Sequence, residues 1–310
     1  MPRIARQKQE GAIYHVMARS ISEVLLFKNN EDKRQYLLLL KEYQKVFGFI
    51  IYAYCIMDNH LHLIIFCNGA DISKIMHCIN FKYARYYNLT YKRHGHLFQD
   101  RFKSKIVTDD RYLIALSAYI HNNPSDIHGY ENNPQNYYFS SFGIYLNLRT
   151  DDLNLVDIKF ILKMFGENIN ESTKRYFKLV VKSQNSLLSE LPNISQQEIE
   201  FCNEKCDYIS GKKILVRNFN IDDVIQYVAD KFNISKELIH LKFKKGLVSA
   251  RGILVLLLRN LCNIGCSKIC SILGNITISR VSKLSSIGVD LISNDTIYRG
   301  IIKDFISSYS

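Results

Sequence analysis

FIIYAYCIMDNHLHLIIF, residues 49–66, holds two runs rich in strand-forming residues on either side of Asp58-Asn59. Those two residues tolerate a tight backbone turn, so 49–57 and 60–66 read as the arms of a β-hairpin. Side chains alternate across a strand, which puts His60, His62, Ile64 and Phe66 on one face and Leu61, Leu63 and Ile65 on the other. Apolar residues on both faces mark a central strand covered on both sides. Outward from the hairpin, IYHVMARS (13–20) reads as a further strand and EDKRQYLLLLKEYQKVF (31–47) as an amphipathic helix stopped by Gly48. A helix over 70–88, a short strand in FKSKIVT and a helix over 110–121, halted by Pro124, follow. This order predicts an α+β domain: a ferredoxin-like, RRM-like antiparallel sheet with helices on one face.

From about residue 150 the strand signals fade into helical patterns joined by polar loops. The expected division is 1–148, a helical connector over 149–213 with its best linker at 186–213, and an all-α domain over 214–310. Segments 267–274 and 278–288 flank Gly274-Asn275 in the layout of a helix-turn-helix. An excess of cations gives a formal charge of +12, which favours a polyanionic partner over an acidic small substrate. No apolar stretch reaches the roughly 18–20 residues of a membrane span, and the N-terminal residues lack an apolar signal core, so a cytosolic chain is expected. The eight cysteines, none in a CxxC pair, are read as small buried hydrophobes.

His60 and His62 lie two apart on a strand, with Cα atoms roughly 6.5 Å apart, so their imidazoles can converge on one ion. An isolated pair of this kind serves more readily to hydrogen-bond loops at a strand end. On the 110–121 helix Leu113, Leu116 and Ile120 form the core stripe, leaving Tyr112, Ala115 and Tyr119 along its edge. Asn123 falls one turn after Tyr119, near the same face, where its amide oxygen could be a third metal ligand. A phenol is a poor nucleophile at neutral pH unless a metal or base assists it, so a reacting Tyr119 needs such neighbours. A divalent ion there would polarise a phosphodiester and align it for attack. His94 and His96 form a second pair, but in a polar glycine-containing loop.

Residues 82–105 interleave Lys82, Arg85, Lys92, Arg93, Arg101, Lys103 and Lys105 with Tyr83, Tyr86, Tyr87, Tyr91, Phe98 and Phe102. Cations neutralise phosphates and aromatic faces stack on unpaired bases, so the block suits single-stranded or hairpin DNA. Lys82, Arg85, Arg93, Arg101, Lys103 and Lys105 are the candidate contacts.

Taken in order, YHVMARS, YCIMDNHLHLII, the YARYYN to GHLFQDRFKS block, AYIHNNP and YYFSSFGIYL resemble the REP-associated tyrosine transposases, single-tyrosine HUH enzymes, over about residues 10–148. The resemblance implies that His60 and His62 are the metal-binding histidines, Tyr119 the nucleophile and Asn123 the polar third ligand. It further implies Mg2+ or Mn2+, a single-stranded or hairpin DNA substrate, a 5′-phosphotyrosine on Tyr119 and a free 3′-hydroxyl. Asp58 stands where the family often has proline, and Phe98 and Phe139 where it has tryptophan, of which this chain has none.

Residues 218–292 resemble, more loosely, the DNA-binding domain of the bacterial replication initiator. NITISRVS replaces that domain's acidic-histidine recognition motif, and Arg280 and Lys283 are the cations left for phosphates or bases. A DNA strand transferase is thus the leading expectation. A DNA-binding regulator without catalysis, and a rolling-circle initiator or relaxase of related chemistry, are the alternatives; both a monomer and a homodimer are open to it.

Overall fold

The computed structural model describes residues 11–21, 24–190, 217–240, 247–274 and 276–309. They divide into two units, one formed from 1–41 with 49–214 and the other from 42–48 with 215–310.

The first unit is built on β1 (Ile13–Arg19), the part of α1 (Asn30–Phe47) up to Lys41, β2 (Ile50–Ile56), β3 (His60–Phe66), α2 (Ile72–Thr90) and β4 (Lys103–Ile106). The strands form one sheet in the order β2-β3-β1-β4, every neighbouring pair antiparallel. Each of α1 and α2 therefore joins two parallel strands with another strand between them. Right-handed crossovers place both helices on the same face, the ferredoxin-like arrangement. The other face, with His60 and His62, is covered by α3 (Asp110–Asn122), which packs on β2 and β3. That second layer explains why Leu63, Ile64 and Ile65 are all fully buried.

Local chemistry sets the helix limits. Asp71 caps α2 by accepting from the Ser73 amide at 2.8 Å, and Asp109 caps α3 through the Tyr112 amide at 2.8 Å. α3 yields at Asn123 to a 3-10 turn, Asn123–Asp126, in which Pro124 lacks the N–H that a longer helix would need. α4 (Phe142–Tyr145) and α5 (Lys159–Leu162) lead to α6 (Ile169–Glu190), which packs along α3. Tyr176 on α6 bonds His121 Nδ1 at 2.7 Å, and Asn122 donates to the Val180 carbonyl at 2.8 Å. Residues 149–190, expected as a connector, are thus part of the first unit. Much of the expected linker at 186–213, with Cys202 and Cys206, lies outside the described residues.

In the second unit α7 (Ile221–Lys231) and α8 (Lys236–His240) precede α9 (Val248–Leu261), which is buried along most of its length. α10 (Cys266–Leu273), α11 (Ile278–Asn294) and α12 (Ile301–Tyr309) follow. Gly274, at φ +64°, ends α10, and Thr277 caps α11 through the Arg280 amide. α11 runs six residues past the expected end at 288, because Val289 and Ile292 continue its buried stripe. Gly252 and Gly288 let α9 and α11 approach closely, a built Cβ on Gly252 standing 3.1 Å from the Gly288 nitrogen. Cys55 and Cys67 are buried as expected, whereas Cys78, Cys262, Cys266 and Cys270 are only half-buried because they lie at the edges of helical faces. Among the described residues no helix is long and apolar enough to cross a membrane.

Candidate active site

β3 enters the sheet beside β1 with His60 opposite Arg19 and His62 opposite Met17. The two imidazoles lie on one face, with ring centroids 5.1 Å apart and planes near perpendicular at 88°. Tyr119 comes down from α3 to place its ring 5.7 Å from that of His62, again edge-on at 86°. It is half-buried at the helix edge, between the buried Leu116 and Ile120. Asn123, in the helical conformation at the end of α3, donates its amide to the Tyr119 carbonyl at 2.9 Å. Its side chain also hydrogen-bonds His60. Strand β3 and the last turn of α3 thus bring His60, His62, Tyr119 and Asn123 to one place.

The site contains a further histidine that the sequence reading passed over. His15 lies on β1, diagonal to His62, and its Nε2 stands 2.9 Å from His62 Nδ1 with the rings stacked at 5.2 Å. Both side chains are buried. The signal for it was a polar residue in an otherwise apolar strand, but choosing its partner required the β1–β3 register. On His60, Nδ1 bonds the Asn59 amide oxygen at 2.6 Å; an amide oxygen only accepts, so His60 donates there.

Electrostatics keep these rings neutral. Burial, followed by the charge of Lys105, lowers the His15 pKa to about 4. Burial, with His15 and His60 nearby, holds His62 well below the ordinary histidine value. Burial also lowers His60, assisted by Arg19 and opposed by the Asn123 hydrogen bond and Asp126. Neutral imidazole is the form that ligates metals. Among the described residues no group of three or more His, Cys, Asp and Glu side chains is arranged for a metal. The available set is instead two imidazoles and an amide. Such neutral donors would leave a divalent ion's charge free for a phosphate.

The expected DNA-binding residues are spread over several elements. Arg85, Arg93 and Arg101 line a groove between α2 and residues 92–102, together with His94 and His96. Lys82 is half-buried on α2 and is not among the groove residues. Lys103 and Lys105 belong to β4, Lys105 beside His15 in the sheet and 5.1 Å over the Tyr112 ring. Arg280 and Lys283 are exposed on the first turns of α11 in the second unit. The aromatic half of the expectation needs correction. Tyr83, Tyr87 and Phe102 are buried core, and Tyr86 and Tyr91 donate hydrogen bonds to the buried Asp32 at 3.2 and 2.8 Å. Helical phase turns Tyr83 and Tyr87 inward, whereas Tyr86, Tyr91 and Phe98 are half-buried.

Residues 8–123 match the family model of the IS200-like transposases. The match takes in β1 to β4 and α3 and ends on Asn123, so it contains every residue of the site just described. This stretch is similar to the IS200-like transposases. Among solved structures, one of a REP-associated tyrosine transposase bound to a REP hairpin is similar at 16% identity and a TM-score of 0.41, covering 51% of this chain and 94% of that one. No curated protein matches the chain.

Proposed function

We propose that the chain is a DNA strand transferase that cuts and rejoins single-stranded or hairpin DNA through Tyr119, with His60, His62 and Asn123 holding a divalent cation. The observation that carries the reading is the convergence of these residues: Tyr119 and His60 each stand edge-on to His62, at 5.7 and 5.1 Å, and Asn123 bonds His60. Bound Mg2+ or Mn2+ would supply Lewis-acid polarisation of the scissile phosphate. α3 fixes the phenol at the mouth of the histidine face, and Asn123, tied to the Tyr119 carbonyl, holds that turn of helix in place. The Tyr119 oxygen forms a bond to phosphorus and gives its proton to water. The P–O3′ bond breaks, and the departing oxygen takes a proton from water and leaves as a 3′-hydroxyl. Attack of a 3′-hydroxyl on the phosphotyrosine reverses the exchange without an outside energy source. The 5′-phosphotyrosine polarity rests on the family resemblance.

The helices α10 and α11, with Arg280 and Lys283, are proposed as a helix-turn-helix that adds a second DNA contact. The test incubates the full chain with labelled hairpin oligonucleotides and Mg2+ or Mn2+ and resolves covalent adducts on a denaturing gel. Wild type is expected to form an adduct and Tyr119→Phe none. An equal adduct with Tyr119→Phe, or none with any flanking hairpin from the native locus, overturns the enzymatic reading and leaves a non-catalytic DNA-binding regulator.

A further inference from the structure

Asp58 and Asn59 lie between β2 and β3, so their conformation sets how the chain enters His60, the first residue of β3. Backbone bonds pin this turn from two directions. The Asp58 carbonyl accepts from the Phe27 amide at 2.9 Å, and the Asn59 carbonyl from the Ser20 amide at 3.1 Å. The Met57 amide donates to the His60 carbonyl at 2.9 Å and closes the hairpin. The Asn59 side chain then accepts from His60 Nδ1 at 2.6 Å, so the place of that amide oxygen sets the rotation of the imidazole.

A further hold on the turn is ionic, and it comes from α1. Lys33 Nζ stands 2.6 Å from Asp58 Oδ1, the lysine side chain being 7% exposed and the carboxylate side chain 62%. The same ammonium donates to the Tyr137 hydroxyl at 3.0 Å. That hydroxyl donates in turn to the carbonyl of Ile56, the last residue of β2, at 2.8 Å. The rings of Tyr137 and Phe139 lie 5.4 and 5.2 Å from Nζ. One cation therefore grips both sides of the turn, Ile56 before it through Tyr137 and Asp58 within it.

This placement is costly. Lys33 lies in the first turn of α1, where the free helix amides already carry positive charge, and a buried ammonium loses most of its hydration. A methionine of similar volume would pack against Tyr137 and Phe139 without either penalty, so stability alone does not call for a lysine here. What the lysine supplies and methionine cannot is a directed bond to Asp58. We infer that Lys33 is a positioning residue for His60: through Asp58 it holds the turn in the conformation that brings the Asn59 amide oxygen to His60 Nδ1. The inference rests on the strand-transferase reading for its purpose and on the hydrogen-bond geometry for its content. Lys33 acts through the turn and not by contact with the reacting groups.

The experiment reads His60 in the metal-free full chain by two-dimensional 15N–1H spectra at about pH 8, where an imidazole is neutral, and Mn2+ binding by calorimetric titration. Wild type shows His60 as the Nδ1–H tautomer. In Lys33→Met the carboxylate left behind is exposed and hydrated, so the melting temperature stays within a few degrees of wild type. His60 nevertheless becomes a mixture of tautomers, and the Mn2+ dissociation constant rises about 10- to 100-fold. Asp58→Ala, a change on the exposed partner, produces the same two effects and also lowers the melting temperature, because it strands a buried ammonium. Lys33→Met combined with Asp58→Pro restores the single tautomer and brings the dissociation constant to within about threefold of wild type. Proline fixes φ and is admissible there, since Asp58 has no positive φ and its amide makes no hydrogen bond among the described residues. A role in packing alone would not be restored by proline, which adds nothing around Tyr137 and Phe139. An unchanged His60 tautomer, or a Mn2+ affinity within about twofold of wild type, in folded Lys33→Met or Asp58→Ala overturns the inference. So does a proline that restores neither readout, and so does a Lys33→Met chain that fails to fold, which would make the lysine a support of the core. The two readings fail separately: wild type that forms no adduct, while its His60 tautomer still depends on Lys33, refutes the chemistry and keeps the positioning role. An adduct together with a His60 indifferent to Lys33 refutes the positioning role alone.

Discussion

Replacing His15 with alanine tests whether the buried imidazole pair prepares a ligand. One N–H must lie between His15 Nε2 and His62 Nδ1, which are 2.9 Å apart. If His15 donates, the proton of neutral His62 sits on Nε2 and blocks ligation from that nitrogen. If His62 donates, its Nε2 lone pair is free for the cation proposed to join it with His60. His15 in its Nδ1–H tautomer is the acceptor that favours the second arrangement, and burial, by keeping it neutral at pH 7, preserves its Nε2 lone pair. Loss of such an outer partner costs roughly 10–100-fold in metal affinity, or about 1.4–2.7 kcal/mol. His15→Ala also leaves a buried His62 N–H without its acceptor, lowering stability by about 1–3 kcal/mol. The assay is calorimetric titration of Mn2+ into the DNA-free protein, at a temperature where circular dichroism shows the variant folded. The expected result is a dissociation constant 10–100 times that of wild type, largely restored in His15→Gln if the glutamine oxygen accepts the same bond. Two-dimensional 15N–1H spectra should show His62 as the Nδ1–H tautomer. An affinity within twofold of wild type, while His62→Ala abolishes binding, refutes the positioning role, and so does an Nε2–H tautomer for His62 in the metal-bound protein.

Gly288→Ala should destabilise the second unit, since a Cβ there meets the Gly252 carbonyl where α9 and α11 touch. A loss of about 1–3 kcal/mol, read as a melting temperature several degrees lower, is expected, and an unchanged melt would show that the helices can separate freely. Tyr176→Phe removes the hydroxyl between His121 Nδ1 and Ser117 Oγ, at 2.7 and 3.0 Å, and should cost about 1–3 kcal/mol in denaturant unfolding. No loss there would mean that α6 does not anchor α3. Burial, then Asp223, raises the Cys262 thiol to about 11, so roughly one molecule in a thousand carries the thiolate at pH 8. Iodoacetamide labelling located by peptide mapping should therefore be slow at Cys262 at pH 8 and should accelerate as pH approaches 11; rapid labelling at pH 8 would contradict it.

The alternation of His60-Leu61-His62 with the apolar residues after it was enough to place β3 at the centre of the sheet, because a period of two leaves no other way to bury Leu61, Leu63 and Ile65 together. The edge position of Tyr119 was equally legible from the stripe of Leu113, Leu116 and Ile120. His15 was not, because its bond to His62 spans 47 residues and exists only in the register that sets Met17 against His62. The role of residues 149–190 was hidden for a related reason. Their helical pattern gives a length for α6 but not the Tyr176–His121 bond that fastens it to α3.

The aromatic-basic block shows a different limit. Its composition is that of a nucleic-acid surface, but a helix sorts residues by angle, and α2 turns about 100° for each residue. Ile72, Ile75, Met76, Ile79, Tyr83 and Tyr87 fall on the buried stripe, and the hydroxyls of Tyr83 and Tyr87 reach the Leu26 and Leu25 carbonyls at 2.7 and 2.9 Å. His77, Phe81, Arg85 and Leu89, spaced four apart, fall on the outward stripe. Phe81 and Tyr83 are two residues apart and of similar size, yet one is 65% exposed and the other fully buried. Rotation about the α2 axis, rather than aromatic content, therefore decides which ring can meet a base. The buried tyrosines tie the helix to Leu25 and Leu26, and that anchoring presents the outward stripe.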